Sequence, residues 1–195
     1  MNNLEILLDV LIHPSYALRR GDKSLSLSIA VVVLAVWSAV VGNYIIRGIS
    51  INAASLLFSI IGITLFALLF NFIIVSVWHF ISESFKGRGR ANELFICVCL
   101  SFLPYIFLAP LALIIKFSGG GLVYWPFFKF VIAVWVITLQ ISSIRIVYQL
   151  NGPLAAASYF IPFAAFLIIF FLMFVVLALV FVIIASQSLT PLLNL

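Results

Sequence analysis

The residues of this sequence that are best placed to do chemistry are a histidine and a glutamate one helical turn apart. His79 and Glu83 stand at i and i+4, so on a helix their side chains can hydrogen-bond to each other. The pair also supplies two potential metal ligands, but a zinc site needs three or four. The second histidine, His13, lies far from this pair in the chain. We therefore predict a hydrogen-bonded pair and no metal site.

The two cysteines, Cys97 and Cys99, are the other reactive side chains. Two residues turn a helix by about 200°, so their thiols face apart and cannot easily share a disulfide or a metal. The sequence also has no GxSxG elbow, no HExxH motif and no P-loop. These patterns predict two buried, reduced cysteines in a protein that is not an enzyme and carries no cofactor.

The elements that must position these residues are long apolar runs. Of the 195 residues, 66% are hydrophobic and only 8% are charged, against roughly 25% charged residues in a soluble domain. This composition excludes a soluble enzyme, a disordered chain and a secreted disulfide scaffold. Five runs reach the length of about 20 residues that a bilayer requires. They are Leu25–Ile46, Ala53–Ser82, Leu94–Ile115, Phe127–Gln149 and Ser158–Ser186. We predict an all-α polytopic membrane bundle of five transmembrane helices, a single domain over residues 1–195 in the lipid bilayer.

The orientation is predicted from the basic residues near the span ends. Three of the ten fall on one side, namely Arg47, Lys116 and Lys129. The other seven fall on the opposite side, namely Arg19, Arg20, Lys23, Lys86, Arg88, Arg90 and Arg145. The majority side should be cytoplasmic, which places the N-terminus inside and the C-terminus outside, and we expect a bacterial inner membrane. The net charge of +5 follows from this asymmetry and implies no nucleic-acid partner.

The segment over residues 1–23 precedes the first span. Glu5, Asp9 and His13 recur every four residues and form one narrow polar stripe on an otherwise apolar helix. Pro14 stops or kinks this helix, which should lie in the membrane interface. Two interpretations remain open: the helix packs along the cytoplasmic edge of the bundle, or it is a docking site for a partner.

Polar residues within the spans usually face the interior of a bundle, because they are costly in hydrocarbon. On the fourth span Thr138, Ser142, Arg145 and Gln149 form one stripe that leads to the cytoplasmic end. Either this stripe makes helix–helix hydrogen bonds with Arg145 as a topology anchor, or it lines a polar cleft. Asn71 of the second span should bond to another helix.

Two prolines, Pro104 and Pro110, interrupt the third span. Each removes a backbone hydrogen bond, so the span should kink for packing or form a broken helix around a site, as in transporters. The fifth span carries no charged residue and should be the most lipid-exposed of the five.

The cytoplasmic mouth of the bundle is the candidate functional site. We expect His79, Glu83, Glu93 and Arg145 to converge there, because the second, third and fourth spans reach the cytoplasm at these residues. An ion pair between Arg145 and one of the two glutamates, partly buried, would offset the desolvation of the arginine.

The stretch from Trp78 to Phe163 resembles the Ypt-interacting protein (YIP) family of five-span membrane proteins. The similarity covers the end of the second span, the glycine-rich loop, the third span and the exit from the fourth. The family-like positions are Pro14, His79, Gly87, Gly89, Glu93, Pro104, Pro110 and Tyr148. The chain is similar to the minimal prokaryotic form of the family, without the long cytosolic N-terminal region of eukaryotic members.

Together these patterns favour a non-enzymatic membrane protein that organises or assists other membrane proteins. The alternative is a subunit of a transporter or lipid-handling system that uses the polar face of spans two to four. An adaptor should have a fixed partner protein, and a transporter should have a polar cavity between its spans. The oligomeric state stays open at this point.

Overall fold

A computed structural model describes Leu7 and residues 9–11, 24–48, 53–119 and 121–193 of the chain. Its helices, in chain order, are α1 (Leu25–Arg47), α2 (Ala53–Ser84), α3 (Ala91–Leu100), a 3₁₀ helix (Leu103–Phe107), α4 (Leu108–Phe117), α5 (Gly121–Tyr148) and α6 (Gly152–Leu193). Five helical segments are long and apolar enough to cross a membrane, namely Leu25–Arg47, Ala54–Ser84, Ala91–Phe117, Val123–Tyr148 and Gly152–Val182. The prediction of an all-α bundle with five membrane-spanning segments is confirmed.

Some helices begin earlier than the predicted apolar runs, because hydropathy alone does not show at which residue a helix starts. The fourth span continues through Pro126, and α5 begins at Gly121 rather than at Phe127. The fifth span begins at Gly152 rather than at Ser158, since Asn151 caps it. The side-chain Oδ1 of Asn151 accepts a hydrogen bond from the Leu154 N–H at 3.0 Å, which satisfies one of the unpaired amides of the first turn.

The chain divides into two compact units, Met1–Ser158 and Tyr159–Leu195. The core of the first unit contains two hydrophobic clusters. One joins α1 and α3 through Val31, Ile96, Leu100 and Leu103, and Val10 of the N-terminal segment is buried in it. The other joins α4 and α5 through Leu108, Ala112, Ile115, Trp125, Ile132 and Val136.

The N-terminal segment contributes directly to this core. Leu7 and residues 9–11 are helical, and Val10 is 1% exposed. Leu7 and Leu11 pack against the same cluster from either side of Val10. This placement supports packing of the segment on the bundle, the first of the two interpretations above. Pro14 lies outside the described residues.

The third span is broken at its centre, where the 3₁₀ helix separates α3 from α4. Pro110 has no N–H, so it cannot bond to the carbonyl of Ile106 one turn earlier. Ser38 of α1 replaces that bond: its hydroxyl donates to the Ile106 carbonyl at 2.7 Å and accepts from the Ala109 N–H at 2.8 Å. The prolines therefore produce a break that a neighbouring helix closes, as membrane interiors require.

A second polar contact joins α1 to α5. The indole Nε1 of Trp125 donates to Oδ1 of Asn43 at 3.0 Å, and the Asn43 amide donates to the Ala39 carbonyl at 2.9 Å. Gly42 lies beside this contact, where a Cβ would come within 2.9 Å of the Trp125 ring. The absence of a side chain at Gly42 therefore allows the indole to reach α1.

The second unit consists of the later part of α6. It is strongly apolar, and its aromatic side chains include Phe166 and Phe170, whose ring centroids are 6.5 Å apart. None of the most apolar window of the fifth span is buried, whereas 17–50% of the corresponding window is buried in each of the other four. The lipid exposure expected of the fifth span stays a prediction.

Candidate functional site

The candidate site lies at the end of the bundle where α2 and α5 terminate. Its centre is a buried tyrosine rather than an arginine. Tyr148 is the last residue of α5 and is 1% exposed. Its hydroxyl forms a hydrogen bond with Nδ1 of His79 on α2, and the two ring centroids are 5.8 Å apart. The other ring nitrogen of His79, Nε2, lies 3.5 Å from Oε1 of Glu83. The i, i+4 pair is thus confirmed, and a residue from another span extends it.

Both ring nitrogens of His79 have a partner, and their donor and acceptor roles depend on the tautomer. In the tautomer with the proton on Nε2, that N–H faces the Glu83 carboxylate and Nδ1 accepts the hydrogen bond of the Tyr148 hydroxyl. The chain Tyr148–His79–Glu83 then runs from the buried end of α5 to a glutamate whose side chain is 55% exposed. The contacts hold the ends of α2 and α5 together.

The loop between α2 and α3 packs directly on Tyr148. A Cβ on Gly87 would come within 2.8 Å of both the Ser82 carbonyl oxygen and Cβ of Tyr148. A Cβ on Gly89 would come within 2.8 Å of both the Val147 carbonyl oxygen and Cδ1 of Tyr148. Real Cβ atoms do not make such short contacts, so glycine is required at both positions if the loop is to lie against the tyrosine ring.

Backbone hydrogen bonds fix the course of this loop. Lys86 has a left-handed conformation (φ 63°), and its N–H donates to the Glu83 carbonyl at 2.8 Å. The Gly87 N–H donates to the Ser82 carbonyl at 3.0 Å, which completes a Schellman motif at the end of α2. The next amide, Arg88 N–H, donates to the Tyr148 carbonyl at 3.3 Å. The loop is therefore tied to both α2 and α5.

The charged residues expected at this site only partly converge. Glu83 contacts His79, and the exposed Glu93 lies within electrostatic range of Tyr148, but among the described residues the exposed Arg145 has no carboxylate contact. Within the described part of the chain, no ion pair within 4.0 Å joins Arg145 to either glutamate. The expectation of a partly buried Arg145 ion pair is therefore wrong. Arg145 is exposed in the last turn of α5, where a long side chain can extend to the membrane surface without a carboxylate partner.

The polar residues of the spans bond mainly to their own helices. Thr138 and Ser142 donate to the carbonyls of Val134 and Thr138, one turn earlier on α5, at 2.9 and 2.8 Å. Asn71 is buried, but its amide donates to the Ala67 carbonyl of α2 at 2.8 Å. The helix–helix bonds expected of the stripe and of Asn71 are replaced in these cases by local backbone bonds.

Sequence reasoning missed the polar residues that do join helices, Ser38, Asn43 and Trp125. The only signal for Ser38 is Pro110, whose missing N–H requires some donor for the Ile106 carbonyl. Nothing in the sequence identifies which helix supplies that donor, because Ser38 and Ile106 are 68 residues apart.

The remaining reactive side chains, two cysteines and the tyrosine of the site, are buried. Cys97 and Cys99 are both buried, as predicted, and neither is part of a disulfide. Among the described side chains, no group of three or more His, Cys, Asp or Glu residues could hold a metal ion. The phenol of Tyr148 is itself buried and bonded to His79, so the arrangement is suited to holding helices together.

No protein-family model matches this chain, and the comparisons with curated proteins and with solved structures find no similar protein. Four of the residues that carry the resemblance to the YIP family, namely His79, Gly87, Gly89 and Tyr148, meet in one contact cluster. Membership of that family stays a prediction.

Proposed function

We propose that this chain is a non-enzymatic integral membrane protein that organises or assists other membrane proteins. The observation that carries the proposal is the placement of charge and polar groups in the spans. The Glu, Lys and Arg residues of the described spans lie within about two turns of the span ends, for example Arg47, Glu83, Lys116 and Arg145. Pumps and transporters instead place ionisable groups along a path through the bundle.

The membrane-embedded face of α2 is the best candidate for contact with a partner. Only 17% of the most apolar window of α2 is buried, the lowest share in the first unit. Its uncovered side carries large aromatic residues, including Phe66 and Phe70, whose ring centroids are 6.1 Å apart. Helices in lipid associate by van der Waals packing rather than by burial of apolar area, and the stacked rings of Phe66 and Phe70 provide a surface for such packing.

The broken third span is the observation that favours the alternative, a transport or lipid-handling subunit. Transporters build substrate sites from freed backbone groups at such breaks. Here the carbonyl of Ile106 and the N–H of Ala109 both bond to Ser38, so these groups are not free to coordinate a substrate. This contact favours the organising role.

From the distribution of basic residues, we propose that the N-terminus and the α2–α3 loop lie in the cytoplasm and the C-terminus outside. The bacterial inner membrane is what the resemblance to the minimal prokaryotic form of the YIP family implies. The resemblance to the YIP family accords with this orientation and with a role among other membrane proteins.

Photocrosslinking in native membranes tests the proposed function. A photoreactive phenylalanine at Phe66 of α2 should give one discrete adduct with a membrane protein. The matched control is the same probe at Tyr124 of α5, which is exposed to a similar degree and lies on another span. Adducts with lipid alone at Phe66, or the same protein adduct from both positions, would contradict the proposal.

A further inference from the structure

The loop between α2 and α3 presents a row of cations on the side away from Tyr148. Lys86, Arg88 and Arg90 are all exposed, and they alternate with the two glycines that pack against the tyrosine ring. We call these three residues the basic ridge. Because the glycines occupy the inner side of the loop, the cationic side chains project outward.

The basic ridge lies at the level where a membrane-spanning helix ends. Its three residues follow the last residue of α2, Ser84, and precede the first residue of α3, Ala91. Helices α2 and α3 belong to two successive candidate spans. A short loop that joins two spans is held close to the headgroup layer, where juxtamembrane cations meet the surface potential of the lipids.

The charges around the ridge leave it net positive. Arg145, which is exposed one turn before Tyr148, adds a fourth cation at this end of α5. The carboxylates that α2 and α3 place at this end are Glu83 and Glu93, so among the charged residues of α2, the loop, α3 and this end of α5 four cations face two anions, a net charge of +2. Oε1 of Glu83 is directed to His79 Nε2, at 3.5 Å, rather than to a ridge cation.

We infer that the basic ridge binds the phosphate of an anionic phospholipid headgroup. Arg88 and Arg90 supply planar guanidinium groups, which match phosphate oxygens with paired N–H donors. The backbone that carries them is already fixed by Gly87, Gly89 and the bond from Arg88 N–H to the Tyr148 carbonyl. A fixed backbone loses less entropy when the ligand binds, which raises the affinity. This role goes beyond the proposed contact with membrane proteins, which uses a different face.

Lipid titration of the full-length protein in a mild detergent, followed by native mass spectrometry, tests the inference. Phosphatidylglycerol and phosphatidylcholine with the same acyl chains should bind with different affinities, the anionic lipid more tightly. Each cation near an anionic lipid contributes about five-fold. The double variant Arg88→Gln with Arg90→Gln should therefore weaken phosphatidylglycerol binding about 25-fold and leave phosphatidylcholine binding unchanged.

Two further variants distinguish lipid binding at the basic ridge from a general effect of the protein's positive charge. Arg47→Gln with Lys116→Gln removes the same charge from exposed positions at other span ends and should leave the lipid preference intact. Arg88→Lys with Arg90→Lys keeps the charge but removes the paired N–H donors, so its lipid preference should lie between those of the wild-type protein and the Gln variant. Thermal unfolding of each variant establishes that it is folded before titration.

Three results would overturn the inference. The first is equal binding of the two lipids by the wild-type protein. The second is an equal loss of affinity in the ridge variant and in the Arg47/Lys116 variant. The third is displacement of phosphatidylglycerol by inorganic phosphate at the same concentration, which would make the ligand a free phosphate rather than a lipid.

Discussion

Tyr148 is the residue on which the contact between α2, the following loop and α5 depends. The Tyr148→Phe variant keeps the ring that packs on Gly87 and Gly89 and removes only the hydroxyl that bonds to His79. We expect the free energy of unfolding to fall by about 1 kcal/mol, the usual net value of one hydrogen bond. Denaturant unfolding in detergent micelles measures the change. Tyr124→Phe is the matched control, because Tyr124 is exposed. Equal effects of the two variants would show that the His79 bond contributes no stability.

The glycines of the loop provide a second prediction at the residue scale. Gly89→Ala should destabilise the fold by about 1–3 kcal/mol, because the new methyl group would lie 2.8 Å from the Val147 carbonyl oxygen. Gly62→Ala is the control on α2, where a Cβ meets no atom within 4 Å and alanine favours the helix. A Gly89→Ala protein as stable as Gly62→Ala would contradict the close packing on Tyr148. The measurement is again the unfolding free energy in micelles.

Part of this site could be predicted from the sequence and part could not. The His79–Glu83 contact follows from i, i+4 spacing on a helix, which is a local property. The contact between His79 and Tyr148 joins residues 69 apart, and no spacing rule reports it. Arg145 was expected to need a partner because it belongs to the polar stripe of the fourth span, but the structure leaves it exposed in the last turn of α5. The exposure of a side chain depends on how the helices pack, which the spacing of a stripe does not report.

At the scale of the elements, the broken third span depends on α1. Ser38→Ala removes two hydrogen bonds, to the Ile106 carbonyl and from the Ala109 N–H. We expect a loss of about 1–2 kcal/mol in unfolding free energy, from roughly 0.6–1 kcal/mol for each bond. Ser76→Ala is the control, since the Ser76 hydroxyl bonds only to the Phe72 carbonyl of its own helix, in an exposed position.

A double-mutant cycle with Pro110→Ala identifies the cause of this dependence. Alanine at position 110 restores an N–H that can bond to the Ile106 carbonyl, so the serine hydroxyl loses one of its functions. Ser38→Ala should therefore cost less in the Pro110→Ala background than in the wild-type protein. Strict additivity would show that Ser38 does not compensate for the proline.

The sequence predicts the five membrane-spanning helices more accurately than it predicts the residues at which they begin and end. Five apolar runs of the length of a bilayer define five spans, because lipid selects for uninterrupted hydrophobic helices. The start of α6 at Gly152 depends on the side chain of Asn151, a polar residue that hydropathy counts as outside the span. The 3₁₀ segment likewise depends on Ser38, which lies on another helix.

At the scale of the whole molecule, the orientation that we propose in the membrane rests on seven basic residues on one side and three on the other. An alkaline phosphatase fusion after Leu195 should be active, and a fusion in the α2–α3 loop after Arg88 should be inactive. A fluorescent protein that folds only in the cytoplasm should show the reverse pattern. An inactive phosphatase and a bright fluorescent protein at the C-terminus would mean an even number of spans.

The central claim of this account is that Tyr148 holds the α2–α3 loop as a fixed face at one end of the bundle. Hydrogen exchange of residues 85–90, measured by mass spectrometry on the detergent-solubilised protein, tests the claim most directly. In the wild-type protein the amides of Lys86, Gly87 and Arg88 should exchange slowly, because each donates to a backbone carbonyl. In Tyr148→Ala these amides should exchange much faster, while a peptide from the middle of α2 stays protected. Rapid exchange of this loop in the wild-type protein, at the rate of an unstructured peptide, would contradict the claim.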